Sequence, residues 1–137
     1  MMKQIFHKFR RALLTRMHNS LRGDLRNLAT RLDANTMLLG KLHVTNIKST
    51  DIADVSKLSD TEFQVYSQFG EDGIIQFLIN NMKIPNPIFV EFGVESYEES
   101  NTRFLLINDN WQGFIMDGSK ENMEHAKNQD YFWRQNL

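Results

Sequence analysis

Two short apolar runs constrain this chain more than any other feature. Ile88-Phe89-Val90-Glu91-Phe92 stops at Gly93, and Gly113-Phe114-Ile115-Met116-Asp117 stops at Gly118. Both are rich in β-branched and aromatic residues and both are bounded by turn formers, which is the pattern of a strand. Between them, from about Ser100, lies a stretch with Phe104, Leu105 and Leu106 on one side and possible capping residues Ser100, Asn101 and Thr102 in front. Upstream, Ser67-Gln68-Phe69-Gly70-Glu71-Asp72 supplies a turn, and Ile74, Ile75, Phe77, Leu78 and Met82 supply a helical apolar face that ends before Pro85 and Pro87. Downstream, Ser119 caps a helix through roughly Lys127, and Tyr131-Phe132-Trp133 begins a third strand. Strands that alternate with helices in units of about 25 residues imply parallel βα layering. The predicted fold is therefore α/β, a partial Rossmann-like parallel sheet of two to three strands.

A different segment precedes it. Phe6, Phe9, Leu13, Met17, Leu21, Leu25, Leu28 and Leu32 recur at steps of three and four, with Lys and Arg largely between them and Gly23 as the one weak point. Residues 1–50 carry a net charge of +8 and residues 51–137 a net charge of −9, a division hidden in the total of −1. The N-terminal part thus reads as a basic amphipathic helical extension. Residues 33–60 read as a second short helix and a connector, and the domains as 1–60 and 61–137. Three roles stay open for residues 5–32: packing on the following domain or on a copy of the same helix, peripheral contact with an anionic membrane, and RNA binding. RNA binding is the least favoured, because the aromatic residues are not interleaved with the basic ones in a stacking pattern.

The overall balance gives no electrostatic case for nucleic acid. The chain has no cysteine, which removes disulfides, thiolate zinc sites and Cys nucleophiles. His7, His18, His43 and His125 share no metal-ligand spacing, so no metal site is predicted. No apolar run approaches the roughly 18 residues of a spanning helix, and scattered charges occupy the place of a signal peptide's apolar region. A cytoplasmic location is predicted, with peripheral membrane attachment through the N-terminal helix among the open alternatives.

Parallel sheets bind ligands at the carboxyl ends of their strands. Both strands here close on a carboxylate, Glu91 and Asp117. A glycine after the first strand, Gly93, lets the backbone turn tightly and lets a ligand approach main-chain N–H groups. An acid at the tip of the neighbouring strand, 26 residues after Glu91, is placed to accept hydrogen bonds from ribose hydroxyls, because a carboxylate only accepts. From spacing alone, nucleoside binding stands beside a plainer alternative in which the two acids cap helices or solvate loop tips.

Val90-Glu91-Phe92-Gly93, Ser100-Asn101-Thr102, Asn110-Trp111-Gln112-Gly113-Phe114 and Met116-Asp117-Gly118-Ser119, with Ser67-Gln68-Phe69-Gly70-Glu71-Asp72 upstream, follow one another in a fairly specific order. Over about residues 62–137 this order resembles the FkbM-like branch of class I S-adenosylmethionine-dependent methyltransferases. The resemblance implies S-adenosylmethionine as cofactor, Glu91 and Gly93 at its methionine end, Asp117 at its ribose, and Ser67 and Gln68 in a turn bordering the pocket. It implies methyl transfer to a hydroxyl of a glycan or small metabolite, and it names no catalytic residue. The alternative is an inactive truncated domain that serves as an interaction or membrane-peripheral protein. Where the family usually has a second glycine, four positions after the first, this chain has Tyr97. The family's sheet has seven strands and this chain supplies at most three, so the resemblance implies the N-terminal portion of a longer enzyme.

Overall fold

The structure, a computed structural model, describes residues 2–49 and 55–129. In order it contains helix α1 (Met2–Lys48), a 3-10 turn (Leu58–Thr61), helix α2 (Glu71–Asn81), strand β1 (Ile88–Phe92), helix α3 (Arg103–Asn108), strand β2 (Gln112–Met116) and helix α4 (Lys120–Lys127). The chain divides into two units, Met1–Met37 and Leu38–Leu137. The last turns of α1 thus belong with the α/β part, whereas the sequence places the domain boundary after residue 60.

The first unit is α1 alone. At 1.5 Å per residue the whole helix is about 70 Å long. Thr15, Thr30 and Thr36 donate their hydroxyls to the carbonyls of Arg11, Arg26 and Leu32, so each is satisfied within its own helix. Leu13, Leu14, Met17, Leu21, Leu25, Leu28 and Leu32 are exposed. The separate short helix expected after residue 33 is corrected by the structure, since α1 runs unbroken to Lys48. Asp33 and Asn35 cost a helix less than about 1 kcal/mol each, Ala34 favours it, and neither Gly nor Pro stands among them to stop it. The helix stops where Ser49 turns its N–H and hydroxyl back onto the Asn46 carbonyl.

In the second unit, Val44 and Ile47 of α1 are buried. Gly40 lets the helix come close, because a Cβ there would lie 2.6 Å from a Val65 methyl and 3.0 Å from the Phe104 ring. His43 stacks on Phe63, and Phe63 meets Phe104 edge to face. The strands pair in parallel, Ile88 opposite Gln112 through Phe92 opposite Met116, as the alternation predicted. One sheet face carries Phe89 and Ile115 into a core with Val94, Tyr97, Leu105, Leu106 and Ala126, against which Ile75, Ile79, Trp111 and Met123 pack. Gly113 sits under the Phe89 ring, where a Cβ would fall 2.1 Å from a ring carbon. The opposite face leaves Ile88, Val90, Phe92, Phe114 and Met116 exposed. Two parallel strands covered on one side only account for this. The expected third strand at Tyr131-Phe132-Trp133 lies outside the described residues. Among the described residues no helix is long and apolar enough to cross a membrane.

Candidate functional site at the strand tips

The carboxyl ends of β1 and β2 meet at one rung, where the Gly93 N–H donates to the Met116 carbonyl at 2.9 Å. Gly93 has a φ of +73°, and a Cβ there would meet nothing within 4 Å. The turn therefore uses glycine's conformational freedom and stays open to approach. Asp117 follows directly on β2. One of its oxygens accepts the Glu95 N–H at 3.0 Å, and the other accepts the Ser119 N–H at 2.8 Å and the Asn122 side-chain amide at 3.3 Å. The Ser119 N–H, then the Glu95 N–H, stabilise the ionised form and hold the Asp117 carboxyl below its ordinary value. Ser119 caps α4 as predicted, accepting the Asn122 N–H at 3.2 Å.

Glu91 sits within β1 and turns toward the start of α3. It accepts the Ser100 hydroxyl at 2.6 Å, the Asn101 and Thr102 N–H groups at 3.1 Å each, and the Thr102 hydroxyl. Three of these bonds fall on Oε2 and one on Oε1, so the carboxylate is committed mainly through one oxygen, and Oε1 keeps an acceptor position open. The Ser-Asn-Thr run thus does not cap α3 with its own side chains. Thr102 is the N-cap residue without a side-chain cap bond, and the strand's glutamate takes its N–H.

Between the two acids runs a tightly held loop. Glu95 and Tyr97 have φ values of +48° and +62°, a left-handed region that costs non-glycine residues energy. Tyr97 therefore holds a backbone conformation that favours glycine while its ring is fully buried in the core, with its hydroxyl 3.1 Å from the Thr102 hydroxyl. Arg103 donates to the Tyr97 and Glu98 carbonyls at 2.9 Å each and lies over the Tyr66 ring, 4.6 Å from its centre. Glu98 is also bonded to His125 at 3.0 Å.

Ser67 and Gln68 belong to the turn before α2. Ser67 is fully buried and accepts the Asp72 N–H at 3.0 Å, while the Asp72 carboxylate accepts the N–H groups of Val65, Tyr66 and Ser67 at 2.7, 2.7 and 3.0 Å. Ser67 is thus committed to holding the turn. Gln68 is exposed, and its carbonyl accepts the Gln64 amide. The Ser100 N–H donates to the Tyr66 carbonyl at 3.0 Å, which joins this turn to the loop after β1. Glu91, Gly93 and Asp117 therefore gather at the strand tips, with Ser67 and Gln68 beside the loop that Glu91 clamps. Tyr97, Arg103 and Asp72 are the organising residues that sequence reasoning missed. Only the family's glycine spacing drew attention to Tyr97; Asp72 stood in the turn motif without its carboxylate being given a role, and no local signal marked Arg103.

Among the described residues no cluster of three or more His, Asp or Glu side chains is placed to hold a metal ion. A shallow open concavity on α1, lined by residues including Lys8, Arg11 and Thr15, is formed by the first unit's own surface. Comparison with protein families, curated proteins and solved structures returned no match to this chain.

Proposed function

We propose that residues 61–137 form the cofactor-binding N-terminal portion of an S-adenosylmethionine-dependent methyltransferase with a Rossmann-like sheet, acting on a hydroxyl of a glycan or small metabolite. The observation that carries this reading is the parallel rung between Gly93 and Met116, with the Asp117 carboxylate immediately beyond it. This is the position where parallel α/β sheets receive nucleosides.

The residues fit the ribose end of such a cofactor. Asp117 has three of its roughly four acceptor positions filled, which leaves capacity for a hydroxyl donor. The hydrogen bonds that lower its pKa keep it ionised and therefore purely accepting. The open space over Gly93 admits a ligand to the backbone. Glu91 serves in this reading by holding residues 100–102 in place. Ser67 holds the adjoining turn, and Gln68 borders it. When bound, the cofactor supplies an electrophilic methyl group on sulfur. The chain's part is to bind and orient, which alone can lower a two-substrate barrier by several kcal/mol.

Calorimetric titration with S-adenosylmethionine and S-adenosylhomocysteine tests the proposal. Binding is expected for the native chain, and Asp117→Ala is expected to weaken it roughly ten- to hundredfold by leaving ribose hydroxyls unpaired. Absence of heat at about millimolar ligand would sink the cofactor reading. The lead would then pass to an interaction protein, which is also the reading that the core-filling Tyr97 favours.

A further inference from the structure

Leu21, Leu25, Leu28, Leu32, Asn35, Leu39 and Leu42 follow one another along α1 at steps of four, three, four, three, four and three. Such steps average 3.5 residues, and they keep a stripe facing a partner helix that winds round it in a left-handed supercoil. The six leucines are 57–64% exposed. The stripe is also narrow. Between Leu21 and Asn35 its flanking positions are Arg22 and Ala29 on one side and Asp24 and Arg31 on the other. A helix lying on lipid or on a sheet presents a broad apolar face, whereas a two-position seam fits another helix.

We infer that α1 pairs with the α1 of a second copy of this chain as a parallel, in-register coiled coil along this seam. Asn35 selects the arrangement. In an in-register parallel pair every seam position faces itself, so Asn35 meets Asn35 and the two amides hydrogen-bond. In an antiparallel pair the two alternating sets of seam positions face each other. Asn35 would then meet a leucine, Leu25, Leu32 or Leu39, and bury its amide unpaired. Charge permits the parallel pair although each helix is strongly basic. Across the seam Asp24 comes opposite Ala29 of the other copy and Arg31 opposite Thr36, so no like charges are brought together there.

The absence of cysteine makes the pairing directly readable in the full chain. Leu25→Cys and Leu42→Cys, each alone and under mild oxidation, are expected to form disulfide-linked dimers, because facing seam residues lie within the ~4.4–6.8 Å Cα separation that a disulfide spans. Linkage that appears only when the two variants are mixed overturns the parallel arrangement. In sedimentation equilibrium the native chain is expected at twice the monomer mass. Leu25→Asp with Leu28→Asp should weaken association by about a hundredfold or more. Asn27→Asp, an acidic substitution off the seam, should leave it unchanged. Asn35→Leu should tighten association and admit higher oligomers, and a value unchanged from the native chain refutes the role given to Asn35. A native chain that stays monomeric at about 100 µM, whether or not it sediments with phosphatidylserine vesicles or awaits a different helical protein, overturns the proposal.

Discussion

Glu91 is a strand residue that clamps a loop of its own chain. Its four hydrogen bonds fix residues 100–102 and so the start of α3. Glu91→Ala would leave the Ser100 hydroxyl without its acceptor and the Thr102 N–H and hydroxyl with only their longer contacts to Ser100 and Tyr97. It is expected to lower stability by about 2–3 kcal/mol in urea unfolding; a change within about 0.5 kcal/mol, typical of a surface substitution, would show the clamp to be incidental. Two other acids give stability opposite slopes with pH. Burial, the largest influence, raises the Asp109 carboxyl above its ordinary 3.8, opposed by hydrogen bonds from Gln76 and Asn108 and by the Lys48 charge. The folded chain then holds this proton more tightly than the unfolded chain, so Asp109's contribution falls as pH rises from 3.8 through its raised folded-state value. Asp117 behaves the other way. Its stabilisation is complete above 3.8 and is lost as pH falls from there through its lowered value. Asp109→Asn keeps an oxygen for Gln76 and removes the charge. Urea midpoints followed from acid to neutral pH should lose the Asp109 decline and keep the acid loss from Asp117; a profile parallel to the native one would refute the assignment.

At the scale of elements, legibility followed the range of the interactions. Both strands and the three short helices were readable, because their apolar spacing and turn residues are local. The register of β1 on β2 has Phe92 opposite Met116 and places Asp117 just past the strand rather than at its last position. The cap of α4 was readable for the same reason, since Ser119 and Asn122 are three residues apart. The start of α3 was not. Its N–H groups are taken by a residue 10 and 11 positions away on another element, and nothing in Ser100-Asn101-Thr102 shows that a glutamate will arrive there. Tyr97 was legible only as a departure from a pattern. The compensation for its left-handed backbone is a ring buried among Phe89, Leu105 and Ile115, which comes from three different elements. α1 was misread after residue 32, where a second short helix and then a connector were expected, because the polar residues there suggest a break while the local cost of keeping them helical is small.

At the scale of the whole molecule, the uncovered sheet face has a calorimetric consequence. Heat-capacity change on unfolding measures the apolar surface newly wetted. Ile88, Val90, Phe92, Phe114 and Met116 are already in contact with water in the second unit. For 137 residues an average protein would show roughly 1.6–2.1 kcal/mol per K, at ~12–15 cal/mol per K per residue. This chain is expected to fall clearly below that range in scanning calorimetry, and a value within it would mean that the face is covered in solution. A small heat-capacity change flattens the curve of stability against temperature. The α/β unit should therefore lose little stability on cooling and approach its melting point gradually, with no sharp optimum between.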